Sequence, residues 1–195
     1  GIVQSLGSLK IPVLVLAAPT ALEGSYAQIL ALGQATGHPA QARAAVDTVR
    51  SRIDAAVASL PAAVRGMSVY HELDATFYSV TSETFIGSLY TRFGLRNIAD
   101  RAPDASGGYP KLSAEYVVTA SPDVIVLTDA VSGGQTPDTV ARRPAFDTIP
   151  AVREGRVIAM DEDIASRWGP RTADFAEALA RALSSVPVPG PKKPS

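Results

Sequence analysis

The chain has 195 residues, 46% hydrophobic and 19% charged, with no Cys and a formal net charge of −1. That is enough apolar material for one or two globular domains and too much for a disordered chain. The near-zero charge argues against a nucleic-acid binder, and the missing thiols exclude disulfides, thiolate zinc sites, iron–sulfur clusters and cysteine nucleophiles.

The N-terminal Gly1-Ile2-Val3-Gln4 lacks a basic region and an initiator Met, so the chain reads as a processed form or a cut chain. No stretch of about 18 or more apolar residues suggests a membrane span. Residues 11–17 (IPVLVLA) form a continuous apolar run, which predicts a strand buried on both faces. Pro19 breaks it, and the pattern of Tyr26, Ile29, Leu30 and Leu32 predicts a helix over 22–35, closed by Gly37.

Pro39 opens the longest predicted helix, 39–60. Ala42, Ala45, Val46, Val49, Ile53, Val57 and Leu60 recur at spacings of three and four, and Pro61 ends it. A block of alternating elements follows. Strands are predicted over 68–73, 124–127 and 157–160. Helices are predicted from a Thr81 or Ser82 cap to Phe93, over 114–120 from a Ser113 cap, over 138–142, and from a Thr172 cap to about Leu183. The Pro-rich tail from Val186 is expected to be disordered. Alternating strands and helices predict a three-layer α/β fold around a mostly parallel sheet. Ligands of such sheets bind beyond the carboxyl ends of the strands, which selects the loops 74–81, 128–135 and 161–171.

Chemistry-bearing residues are few. His71 lies between Tyr70 and Glu72, near Asp74, but adjacent strand residues point to opposite faces, which argues against a shared metal. No G-x-S-x-G elbow supports a hydrolase, and the segment Ser132-Gly133-Gly134-Gln135 lacks the P-loop lysine. The most informative segment is 161–171 (DEDIASRWGPR), which holds the only Trp. Trp168 either packs on the core, or offers a flat apolar face to a ligand while Arg167 or Arg171 pairs with an anionic group. Phe77, Tyr78 and Tyr109 fall in other loops at the same sheet edge. Together these residues suit a large, partly flat, partly anionic ligand.

The pattern resembles the substrate-binding proteins of ABC importers for iron–siderophores, haem and cobalamin, the class with a helical backbone between two lobes. The stretches LKIPVLVLAAPTALEGSYAQILALGQATG, ETFIGSLYTRFGLRNIAD, YPKLSAEYVVTASPDVIVLTD and RPAFDTIPAVREGRVIAMDEDIASRWGPR carry the resemblance, in that order, over residues 9–184. It implies a first-lobe remnant over 1–38, a backbone helix over 39–61, a second α/β lobe over 62–185 and a tail over 186–195. In relatives a complete first lobe precedes this point, so the chain reads as a fragment of such a receptor.

The resemblance implies extracytoplasmic capture and delivery to a membrane permease, with no catalysis and no cofactor. The ligand would be cobalamin or a ferric siderophore, and haem less so. Trp168, Arg167 and Tyr78 map to ligand-facing loops, with Phe77, Tyr109 and Arg171 beside them. Glu162 or Asp163 would dock to the permease. Apolar faces of 1–38 left uncovered would favour a homodimer or domain swap. The competing classes are a small α/β enzyme and an interaction module without a small ligand.

Overall fold

A parallel sheet forms around the two most apolar runs of the second half of the chain. The computed structural model describes residues 1–103, 105, 107–130, 133–165 and 169–187 and, at Glu162 and Ala165, the backbone alone. The strands are β1 (Ser68–Glu72), β2 (Arg96–Asn97), β3 (Val124–Leu127) and β4 (Val157–Ala159), in the spatial order β2-β1-β3-β4. Every pairing is parallel, with Val69 opposite Val124 and Ile125 opposite Val157.

All four residues of β3 are buried, as expected of a strand covered on both faces. Alternate side chains enter two cores. Val69, Val124 and Val126 join one with Leu89, Tyr90, Ile53 and Leu179. Tyr70, Ile125 and Leu127 join the other with Val117, Val140, Phe146 and Ile149.

The helices are α1 (Ile2–Ser8), α2 (Leu22–Ala35), α3 (Pro39–Ala58), α4 (Phe85–Arg92), α5 (Ala114–Ala120), α6 (Pro137–Ala141), α7 (Pro150–Arg153), α8 (Glu162–Ala165) and α9 (Thr172–Ser185). The expected apolar stripe of α3 is the one that packs: Ala42, Val46, Val49 and Ile53 are buried. Helix α3 lies against α2 and α9. The α2 contact is close: a Cβ on Gly33 would stand 2.2 Å from the Cβ of Ala42. The α9 contact is tied by Arg52, which donates to Asp174 at 2.7 Å and to Glu177 at 2.8 Å.

Residues 11–17 depart from expectation. They form no strand, and Ile11, Val13, Leu14, Val15 and Leu16 are exposed. A strand exists only through a hydrogen-bonded neighbour, and none of the described strands pairs with this segment. The segment keeps a strand's composition without a sheet to receive it. Helix α1 ahead of it has no buried residue.

The caps also shift. Helix α4 begins later than expected because Thr84, not Thr81 or Ser82, accepts from the Gly87 N–H at 3.0 Å. Ser82 instead donates through its N–H and hydroxyl to Asp100. Arg171 is the N-cap of α9, and Thr172 is its first residue, with its hydroxyl buried. Ser113 caps α5 as expected, accepting from the Tyr116 N–H. The tail from residue 188 lies outside the described residues.

Candidate functional site

The sheet order makes one position special. From β1 the chain crosses to β2 on one side, while β3 leads to β4 on the other. The crevice at such a switch point, beyond the carboxyl ends of β1 and β3, is where sheets of this kind bind ligands.

The loop after β1 is a built turn. Asp74 accepts from the Thr76 N–H at 2.7 Å and its carbonyl accepts from the Phe77 N–H at 3.1 Å. The Leu73 N–H closes the loop onto the Tyr78 carbonyl at 2.9 Å. Phe77 takes a left-handed φ of 70°, rare for an aromatic residue. The next residues pair with the segment before α5: Tyr78 bridges Lys111, and the Ser79 N–H donates to the Pro110 carbonyl. Tyr78 and Tyr109 therefore sit on neighbouring strips of backbone. Both are exposed, at 41% and 55%, and Lys111 Nζ lies 5.7 Å from the Tyr78 ring centre.

Phe77 points inward instead. Its ring lies against Phe146 at 6.2 Å and beneath the Arg143 guanidinium at 5.4 Å. Arg143 makes a bidentate pair with fully buried Glu72, at 2.6 Å on each side, and donates to Gln135 Oε1 at 2.7 Å. Asp129, just past β3, is buried on the same side, and among the described residues neither carboxylate oxygen has a hydrogen-bond partner beyond its own residue. Burial, reinforced by the charge of Glu72, pushes its pKa up to about 6.

His71 faces the other core. Its Nδ1 shares a 2.6 Å hydrogen bond with the Tyr90 hydroxyl, and Thr128 Oγ1 stands 3.4 Å from Nε2. Burial holds its pKa down to about 3, so the ring is neutral. His71 and Glu72 thus diverge as the strand period requires, and no cluster of three metal-ligating side chains exists among the described residues.

The segment after β4 contributes less detail. Arg171 is largely exposed, 3.9 Å from Asp174. Asp163 is exposed, and its N–H donates to Asp161. Arg167, Trp168 and the Glu162 side chain lie outside the described residues. The structure therefore puts Tyr78 and Tyr109 on adjacent backbone strips, both exposed, and turns Phe77 into a support. The buried set Glu72, Asp129 and Arg143 was not anticipated as a group. The one local signal for it was an acid closing each of two apolar strands. A groove of about 910 Å³ lies elsewhere, beside edge strand β2, lined by Arg96, Asp100, Arg101 and Tyr116. Depth does not coincide with the switch point; converging charge does.

A family model described as periplasmic binding protein matches residues 5–164. The chain belongs to the periplasmic binding protein family. It is 28% identical to a cobalamin-binding protein of Halobacterium salinarum over 195 residues, 95% of this chain and 51% of that protein. It is 30% identical to an uncharacterized ABC transporter substrate-binding lipoprotein, YvrC, of Bacillus subtilis over 118 residues, 60% of this chain and 35% of that protein. A Staphylococcus epidermidis structure, described as a possible iron-binding, periplasmic solute-binding protein, superposes with a TM-score of 0.81 at 23% identity, covering 93% of this chain and 70% of that one. The parallel α/β sheet is thus that of the periplasmic binding proteins. This member spans about half the length of its cobalamin-binding relative.

Proposed function

We propose that the chain contributes one ligand-facing surface of an extracytoplasmic solute-binding protein that serves an ABC importer. Its cargo is a metal chelate, cobalamin or a ferric siderophore ahead of haem. The observation that carries this is the exposed Tyr78–Tyr109 pair at the switch point of a periplasmic binding protein sheet. A corrin or porphyrin presents a flat conjugated face, and tyrosine rings offer apolar area with a polar tip. Arg167, Trp168 and Arg171 are assigned to the same ligand from the sequence alone, and the cobalamin-binding relative favours a corrin. The reading is one of solute binding, in keeping with the family.

Equilibrium dialysis of the chain against cyanocobalamin, ferrichrome and hemin tests the proposal. Weak saturable binding of one chelate is expected, because one surface supplies only part of the burial a cleft provides. The Y78A/Y109A variant should weaken it about tenfold or more, the loss of two stacking rings. Unchanged affinity in that variant, or no chelate bound, would overturn the reading. Glu162 and Asp163 are assigned to permease docking. Their charge-reversed variants should keep chelate affinity and lose association with the reconstituted permease.

A further inference from the structure

Arg143 touches three separate segments. It pairs with Glu72 at the end of β1, donates to Gln135 in the loop after β3, and covers the ring of Phe77 in the loop after β1. Phe146 lies against the same guanidinium at 5.4 Å. The strained backbone of Phe77 is thereby held by its own ring, and the next residue is exposed Tyr78. Beside this stack lies Asp129, whose carbonyl accepts from the Gly133 N–H at 2.8 Å. Glu72 and Tyr70 face Asp129 from β1, Asp74 from the loop after β1, and Arg143 from the turn after α6.

We propose that Arg143 is a positioning residue that locks the loops after β1 and β3 into one ligand-facing surface, and that protonation of Asp129 tightens the lock. The ligand-facing part rests on the function proposed above. The direction follows from charge. Ionised Asp129 repels Glu72 and competes with it for Arg143; once neutral, it leaves the guanidinium wholly to Glu72.

Amide hydrogen exchange on the ligand-free chain at pH 5 and pH 8, expressed as protection factors, tests the lock. Phe77 and Gly133 should be several-fold better protected at pH 5, and D129N should abolish that difference. The E72Q/R143M variant removes both charges of the buried pair together and so avoids stranding one of them. It should lower protection at Phe77 and Gly133 alike, by about tenfold. R143K keeps the charge but loses the fork and the flat face, so it should not restore protection. Loss at one loop only, full rescue by R143K, or a pH difference that survives D129N would overturn the proposal. Dialysis against cyanocobalamin, ferrichrome and hemin at the two pH values is the second arm, with tighter binding expected at pH 5. A chain that binds none of them refutes the functional reading, while the exchange data still decide the coupling.

Discussion

Replacing Asp129 with Asn should raise the stability of the protein at neutral pH relative to its stability in acid, when each is compared with the native chain. The Asp129 pKa is held at about 6, against an ordinary 3.8. Between those values the unfolded chain has released its proton and the folded chain has not, so stability falls as pH rises through the window. At about 1.4 kcal/mol per pH unit, the loss amounts to about 3 kcal/mol once pH exceeds 6. Asn mimics the neutral carboxyl and does not titrate. The stability of D129N minus that of the native chain should therefore climb from near a baseline at pH 4 to about 3 kcal/mol above it at pH 7.5. A buried amide short of partners adds a constant offset of about 1–3 kcal/mol, which makes the slope, not the absolute value, the quantity to read. Urea unfolding at half-unit pH intervals measures it. With an m-value near 2 kcal/mol/M, the native midpoint moves by about 1.5 M relative to the variant's. A difference flat from pH 4 to 8 would show that Asp129 is solvated or paired in solution, and would refute the reasoning.

Three further outcomes follow from other positions. His71 acts in the opposite sense: its pKa is lowered to about 3 by burial, so its contribution is full above about 6.5 and is lost as pH falls toward 3. Urea midpoints of D129N should accordingly drop between pH 7 and 5, and an added H71F change should flatten that drop; an unchanged drop would assign it elsewhere. Adding a methyl at Gly33 forces α2 away from Ala42, so G33A should cost about 1–3 kcal/mol in thermal or chemical unfolding, and a neutral result would mean the helices separate freely. The exposed run of Ile11, Val13, Leu14, Val15 and Leu16 should drive self-association, with a mass by light scattering that rises with concentration and is restored to the monomer by L14K/L16K. A monomer at high concentration would count against it.

The parts of the fold that could be read in advance are those whose signal is local. The stripe from Ala42 to Ile53 marks α3 because the helix period is written in neighbouring residues. The run VIVL marks β3 because a strand covered on both faces favours an unbroken apolar run. Residues 11–17 show the limit of the same rule, since composition cannot supply the neighbour a strand needs. Edge strand β2 escaped notice because two residues, one exposed and polar, make no pattern. Thr81, Ser82 and Thr84 are equal candidates for a cap by residue type. The choice is made by packing, where a Cβ on Gly87 would stand 1.8 Å from the Thr81 carbonyl.

At the site, Tyr78 and Tyr109 were legible as loop aromatics. Phe77 was read as their companion because sequence cannot tell which of two adjacent rings turns inward. The Glu72–Arg143 pair spans 71 positions, and nothing near either residue announces the other.

The clamp between α3 and α9 has a mechanical consequence. Helix α3 has no internal Gly or Pro to bend at, so it behaves as a stiff rod about 30 Å long. Asp174, gripped by Arg52, sits in the first turn of α9, directly after the segment that follows β4. A shift of the first turn of α9 would be delivered to the rod through Arg52, in its C-terminal half. A tilt of about 5° about Arg52 would carry the rod's N-terminal end, about 20 Å away, through about 1.7 Å, a displacement large enough for another body to feel. The ion pair is in this sense a fulcrum, set on the packed contact of α3 with α9.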